Sequence, residues 1–199
     1  MATAGARGTA LKLSVGLFVC ASAALAACDN TADTSPSPAA DAGVEASVAT
    51  PGTLDDKGIT AAAAAYSAFS KINRDAFRTA QHAENPMVDV FANDLAASTY
   101  RSIDPSGKAP ANFAFAPGSM VIKEMKDAAG GRPILTVMYK KAAGYDPANG
   151  DWWYGRLNAD GTPTNAAFVG KVDFCVGCHA GTAQWDHAWG VPASNQLLK

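Results

Sequence analysis

Residues 119–158, SMVIKEMKDAAGGRPILTVMYKKAAGYDPANGDWWYGRLN, decide the fold. Three runs of apolar, β-branched and aromatic residues stand here, SMVIKEMKD, PILTVMYKK and DWWYGRLN. The turn-forming stretches AAGGRP and AAGYDPANG separate them, and ADGTPT closes the last. Runs of this length and composition, bounded by Gly, Pro and Asp, read as strands. Turns this short between neighbouring strands imply antiparallel pairing. Strand alternation puts Val121, Lys123 and Met125 on one face of the first run, and Met120, Ile122 and Glu124 on the other. Each face thus carries one charge between two apolar side chains. In an edge strand, such a charge points to solvent while its stem covers the sheet.

On the N-terminal side, ITAAAAAYSAFSKINRDAFRTA (59–80) has Tyr66, Phe69, Ile72, Asn73 and Phe77 at helical spacing, which predicts an amphipathic helix with Thr60 as its cap. MVDVFA (87–92) alternates as a short strand, and NDLAASTYRS (93–102) follows as a short helix that Asn93 can cap. KAPANFAFAPG (108–118) has the composition of a loop. On the C-terminal side, NAAFVGKVDF (165–174) leads through a loop and a short helix into the last motif. The expected class is α+β, a mainly antiparallel sheet with a few packed helices.

That last motif is FCVGCHAGTAQWDHAWG (174–190), which contains Cys-Val-Gly-Cys-His. On a helical turn, residues three apart share a face, so Cys175 and Cys178 can both reach the vinyl groups along one haem edge. His179, next in sequence, is carried beneath the ring, where an imidazole nitrogen can bind iron as proximal ligand. The pattern therefore reads as covalent attachment of one haem c. Other uses of Cys-x-x-Cys are a redox dithiol, a disulfide and half of a zinc site. A dithiol of the thioredoxin kind stands near the start of its domain, and zinc would need ligands from His82 and His187, the other two histidines.

The chain of 199 residues is 48% hydrophobic and 17% charged, as one globular domain would be. Its net charge of −2 and lack of any Lys/Arg block give no footprint for nucleic acid. The N-terminus is of another kind. After Arg7 and Lys12, residues 13–28 carry no charge, an apolar stretch too short for a comfortable membrane span that reads as a signal peptide over residues 1–27. Leu25-Ala26-Ala27-Cys28 resembles the bacterial lipobox, whose cysteine becomes the lipidated first residue; the alternative is an ordinary cleavage site. The protein would then be tethered by lipid on the periplasmic side of a bacterial membrane without spanning it. Residues 28–56 are rich in Ala, Ser, Thr, Pro and Asp and read as a flexible tether, leaving 57–199 as the folded domain. Of four cysteines, Cys20 falls in the signal peptide and Cys28 takes lipid, so only Cys175 and Cys178 remain for the haem.

FAPGSMVIKE, YDPANGDWWYGRLNADGTP and CVGCH followed by QWDHAW together resemble, in order and spacing, the cytochrome P-460 and cytochrome c′-beta family. The resemblance covers most of the folded domain and implies a mainly antiparallel sheet with helices, usually as a homodimer. It implies that Lys123, in Val-Ile-Lys-Glu, takes the place of the lysine bonded through nitrogen to a meso carbon of the haem. A lysine facing an apolar pocket would be desolvated and its amine more nucleophilic, as such a bond requires. The implied activity is oxidation of hydroxylamine to N₂O or NO, with electrons passed to an external acceptor, such as another periplasmic cytochrome. Relatives with apolar, phenylalanine-lined pockets bind NO without turnover.

The distal carboxylate of the enzymes has no matched counterpart; Asp146, Asp151, Asp160 and Asp173 all lie in loop-like stretches. Phe91, Phe113 and Phe115 are candidates for an NO pocket or plain core. An electron-transfer cytochrome would instead need a second axial ligand from His82, His187, Met87, Met120, Met125 or Met138. His82 falls at the end of the expected first helix and reads as a surface residue. The tryptophans Trp152, Trp153, Trp185 and Trp189, with Tyr154, suit core and haem packing. Asp186 could orient the Nδ1–H of His179, a job that a backbone carbonyl also does.

Overall fold

A computed structural model describes residues 50–80, 82, 85–126 and 131–197. The three runs of the central stretch form β4 (Met120–Lys126), β5 (Ile134–Lys140) and β6 (Trp152–Asn158). They pair antiparallel, with Lys123 opposite Thr136 and Thr136 opposite Arg156. β3 (Met87–Ala92) adds to the outer side of β4, Val90 lying opposite Lys123. Two-residue strands finish the sheet: β1 (Ser70–Lys71) and β2 (Phe77–Arg78) both pair with β3, and β7 (Val169–Gly170) pairs with β6. The described residues thus form a seven-stranded antiparallel sheet. With α1 (Asp56–Ala64), α2 (Asp94–Arg101) and α3 (Asp173–His179), the fold is α+β.

The period of two along each strand sends side chains to two separate cores. Met120, Ile122, Leu135, Trp153 and Leu157 pack with Ile59 and Ala63 of α1. Val121, Met138, Trp152 and Tyr154 pack on the other face with Ala96, Ala97 and Tyr100 of α2 and with Trp185, Ala188 and Val191. Sheet burial on both sides explains why these strands read as nearly continuous apolar runs. It also encloses Lys123 in the middle of β4, whereas Lys126 at the strand's end stays exposed.

The long first helix is not formed. α1 ends at Ala64, and the chain beyond it forms a 3-10 turn and then β1 and β2. The cap is Asp55, whose Oδ1 accepts the Gly58 N–H at 2.8 Å, while the Thr60 hydroxyl donates to the Lys57 carbonyl. Residues 66–80 have an unpaired strand edge, that of β3, to bond with, and its ladder outweighs their weak helical preference. Between β1 and β2, the buried Asn73 takes over part of the ladder: its Oδ1 accepts the Val90 N–H at 2.7 Å, and its Nδ2 donates to Asp89 at 2.8 Å. The C-terminal segment closes on this place, with the Leu197 N–H donating to the Ile72 carbonyl and Asn73 bridged to Gln196. α2 forms as expected, its cap Asn93 accepting the Ala96 N–H at 3.1 Å.

Packing begins ahead of Lys57. Gly52 is buried at φ +85°, its carbonyl accepting the Ala142 N–H at 2.9 Å, and Leu54 packs against the α1-side core. The expected signal peptide, with Cys20, and the expected lipidation site Cys28 lie outside the described residues. Among the described residues, no helix is long and apolar enough to cross a membrane.

Candidate functional site

α3 is a single short helix, with Asp173 complementing the dipole of its first turn. Its spacing brings Cys175, Cys178 and His179 to the same cavity, about 380 Å³ in volume. That lies within the range of small-molecule and cofactor sites, roughly 300–1,000 Å³. Both cysteines are free thiols, Cys175 half-buried and Cys178 exposed. Burial, with Cys178 as neighbour, pushes the Cys175 thiol up to about 11. The opposite wall is the sheet face carrying Val121, Lys123, Thr136, Met138, Tyr154 and Arg156.

His179 is held by its far nitrogen. Nδ1 lies 2.6 Å from the carbonyl oxygen of His187. A carbonyl only accepts, so the proton sits on Nδ1 and Nε2 keeps its lone pair on a ring that lines the cavity. Burial, and secondarily Lys123, push the imidazole down to about 3, so it stays neutral. The residue expected to orient this ring was Asp186 or a carbonyl, and the carbonyl has the role. Asp186 instead fixes the turn that presents it. Its carboxylate takes Lys140 Nζ at 2.6 and 2.8 Å and the Phe115 N–H at 2.8 Å, and its carbonyl accepts the Trp152 indole N–H at 2.7 Å. Asp186 (φ 49°) and His187 (φ 64°) are both left-handed, a strain of about 1–2 kcal/mol for each residue that these bonds offset. Gly150, at φ +66°, makes room: a Cβ there would lie 2.7 Å from Asp186 Oδ1 and 2.9 Å from His187 Cδ2.

Lys123 does not sit on an edge. β4 has strand partners on both sides, and Lys123 is 9% exposed on the wall of the cavity. Burial pulls its ammonium down to about 8, with Cys178 acting the other way. Glu124, on the other face, accepts from the Tyr66 hydroxyl at 2.5 Å and from Lys126 at 3.2 Å. The sequence placed the two faces correctly, but solvent reaches neither as an edge strand requires.

Other candidates are redistributed. His82 is not on a helix end; it lines the cavity, where burial, Lys123 and Arg156 bring it down to about 4. Of the four methionines only Met138 lines the cavity, and His187 contributes its carbonyl from outside it. Phe91 packs edge-on to Tyr66 in the α1-side core, and Phe113 and Phe115 pack with Trp185 and Trp152. Phe168 and Phe174 line the cavity in their place. Trp153 belongs to the α1-side core, whereas Trp189 and Tyr154 line the cavity, the Tyr154 ring 5.2 Å from that of His179. Asp146, Asp151, Asp160 and Asp173 are absent from the lining, which has no carboxylate among the described residues. Arg156 and Thr136 escaped the sequence reading, because their alignment with Lys123 is a matter of register across the sheet.

Among the described residues, no three His, Cys, Asp or Glu side chains converge as a metal site. One imidazole with a free Nε2 and two thiols three residues apart are nevertheless the donor set that a covalent haem needs: one axial nitrogen and two thioether sulfurs. The residues present fit that group. No model of a known family matches this chain, and no curated protein matches it.

Proposed function

We propose that this chain is an exported c-type cytochrome with one haem, of the P-460 kind, acting on small nitrogen species. Cys175 and Cys178 would hold the haem as thioethers, with His179 Nε2 as proximal ligand. The observation that carries this reading is the convergence of both thiols and an anchored neutral imidazole on one cavity that a buried lysine also enters. When bound, the haem would supply an iron centre for ligand binding and one-electron redox chemistry.

The chain's own residues do the rest. The His187 carbonyl keeps the proton of His179 on Nδ1 and raises the basicity of Nε2. Lys123, desolvated and close to neutral pH in its titration, has a nucleophilic amine suited to a covalent link with the haem. Tyr100, Val121 and Met138 give the cavity a buried apolar wall, with the exposed Phe168 and Phe174 at its solvent side. Hydroxylamine oxidation to N₂O or NO, with electrons leaving to an external redox partner, is the activity this arrangement supports if the link forms. The non-catalytic reading, NO binding or electron transfer, is favoured by one observation: among the described residues, no carboxylate lines the cavity to take protons from a substrate. His82 and Met138 are the lining residues that a six-coordinate electron carrier could use. Lipid on Cys28 would hold the protein at the periplasmic face of the membrane, and a homodimer is the assembly expected of this kind.

Mass analysis of haem peptides, after proteolysis of the mature holoprotein, tests the proposal. Haem joining the Cys175–Cys178 peptide to one containing Lys123 supports hydroxylamine oxidation, to be checked as N₂O or NO formed with an acceptor dye. Haem on the two cysteines alone removes the lysine link and moves NO binding or electron transfer ahead. No haem in material from a competent host refutes the reading.

A further inference from the structure

The register of the sheet sets Lys123, Thr136 and Arg156 in one row across β4, β5 and β6. Strands about 4.8 Å apart make that row about 10 Å long, with a cation at either end and a hydroxyl between. His82 joins them on the same cavity from the connection between β2 and β3.

Elsewhere the fold gives three of its lysines a carboxylate, while the half-buried Arg101 is held by the carbonyls of Leu197 and Lys71 at 3.1 and 3.3 Å. Lys140 has Asp186 at 2.6 Å, and Lys71 and Lys126 share the buried Asp89 at 3.0 and 2.7 Å. Among the described residues, neither Lys123 nor the half-buried Arg156 has an ion pair, and no Asp or Glu lines the cavity they share. A guanidinium withdrawn from water without a counter-charge is unfavourable, and its planar fork matches two oxygens on one atom. Lys123 has a proposed covalent use; Arg156 has none.

We propose that Arg156, with Thr136 and His82 beside it, forms an oxyanion-binding corner of the cavity for a two-oxygen monoanion. Two sources share that chemistry. One is a propionate carboxylate of the haem, a source that rests on the haem reading. The other is a free O–N–O or O–C–O anion, of which nitrite is the probe used here. The fork of Arg156 accepts either in the same bidentate geometry, and Thr136 supplies a hydroxyl donor. Free oxyanion binding does not require haem, so the corner and the haem reading can fail separately.

The test uses the mature protein, its haem content first established by the pyridine haemochrome spectrum. Arg156→Gln and Arg156→Lys are compared with wild type by nitrite calorimetry and by the resonance Raman propionate-bending mode. A free-anion corner predicts nitrite affinity at least tenfold weaker in Arg156→Gln, partly kept in Arg156→Lys, with the Raman mode unmoved. A propionate corner predicts a shifted mode in Arg156→Gln and unchanged nitrite affinity. Wild-type values for both readouts in the folded Arg156→Gln protein overturn the proposal. Should Arg156→Gln fail to fold, Arg156→Lys decides, since it keeps the charge and loses the fork: unchanged values in it overturn the proposal too. If the mature protein contains no haem, the nitrite measurement alone decides, and equal affinities again overturn it.

Discussion

Replacing Lys123 by Met removes an ammonium from the cavity wall while keeping an unbranched side chain of similar length. Lys123 is 9% exposed, and burial brings its titration from 10.5 to about 8. At 1.36 kcal/mol per pH unit, the charged form is disfavoured by about 3 kcal/mol in the folded chain. The sign follows from proton counts. Between about pH 8 and 10.5 the unfolded chain holds a proton that the folded chain has released, so stability rises with pH across that window. Below pH 8 the full penalty is present. Lys123→Met should therefore be about 3 kcal/mol more stable than wild type at pH 7, and the gap should close as pH rises to 10.5. Urea unfolding of both chains, prepared without haem attachment, reads the difference at matched pH, so other groups that titrate in this range cancel. A Met variant less stable at pH 7, or a gap that persists at pH 10.5, would refute the view of Lys123 as an uncompensated buried base. In holoprotein whose lysine is covalently bonded to haem, the pH-dependent gap should be absent.

Asp186→Asn leaves the Lys140 ammonium buried without its carboxylate and should cost about 3 kcal/mol or more in denaturant unfolding. Adding Lys140→Met should restore most of that loss. Gly150→Ala forces a Cβ to within 2.7 Å of Asp186 Oδ1 at a left-handed backbone; a loss of at least about 1 kcal/mol is expected, with a shift of the His179 ring resonances by NMR. Asn73→Ala strips the acceptor from the Val90 N–H, a cost of about 1–3 kcal/mol, and hydrogen exchange at Val90 should accelerate while that at Leu135 in β5 changes only with global stability.

The sheet was legible because its cause is local. Alternation, turn residues and short connections fix three antiparallel strands without reference to anything distant. The Asn93 cap and the α3 spacing are local in the same sense. Residues 66–80 were misread because their helical periodicity is weak and their structure is borrowed: only the unpaired edge of β3 makes strands of Ser70–Lys71 and Phe77–Arg78. His82 was misplaced as a consequence, since the false helix ended beside it.

The chemistry of the site divides along the same line. Local spacing is enough to bring the three groups of α3 together, because residues three and four apart on one turn meet whatever surrounds them. Alternation likewise puts Lys123 on the same strand face as Val121. Tertiary structure alone decided that this face is buried, because only a strand with partners on both edges and cores on both faces has no route to solvent. It likewise decided that a carbonyl, not Asp186, holds His179, and that Arg156 and Thr136 stand in line with Lys123. Those are contacts across the sheet and between distant loops, whose partners are set by packing and have no signature in the neighbouring residues.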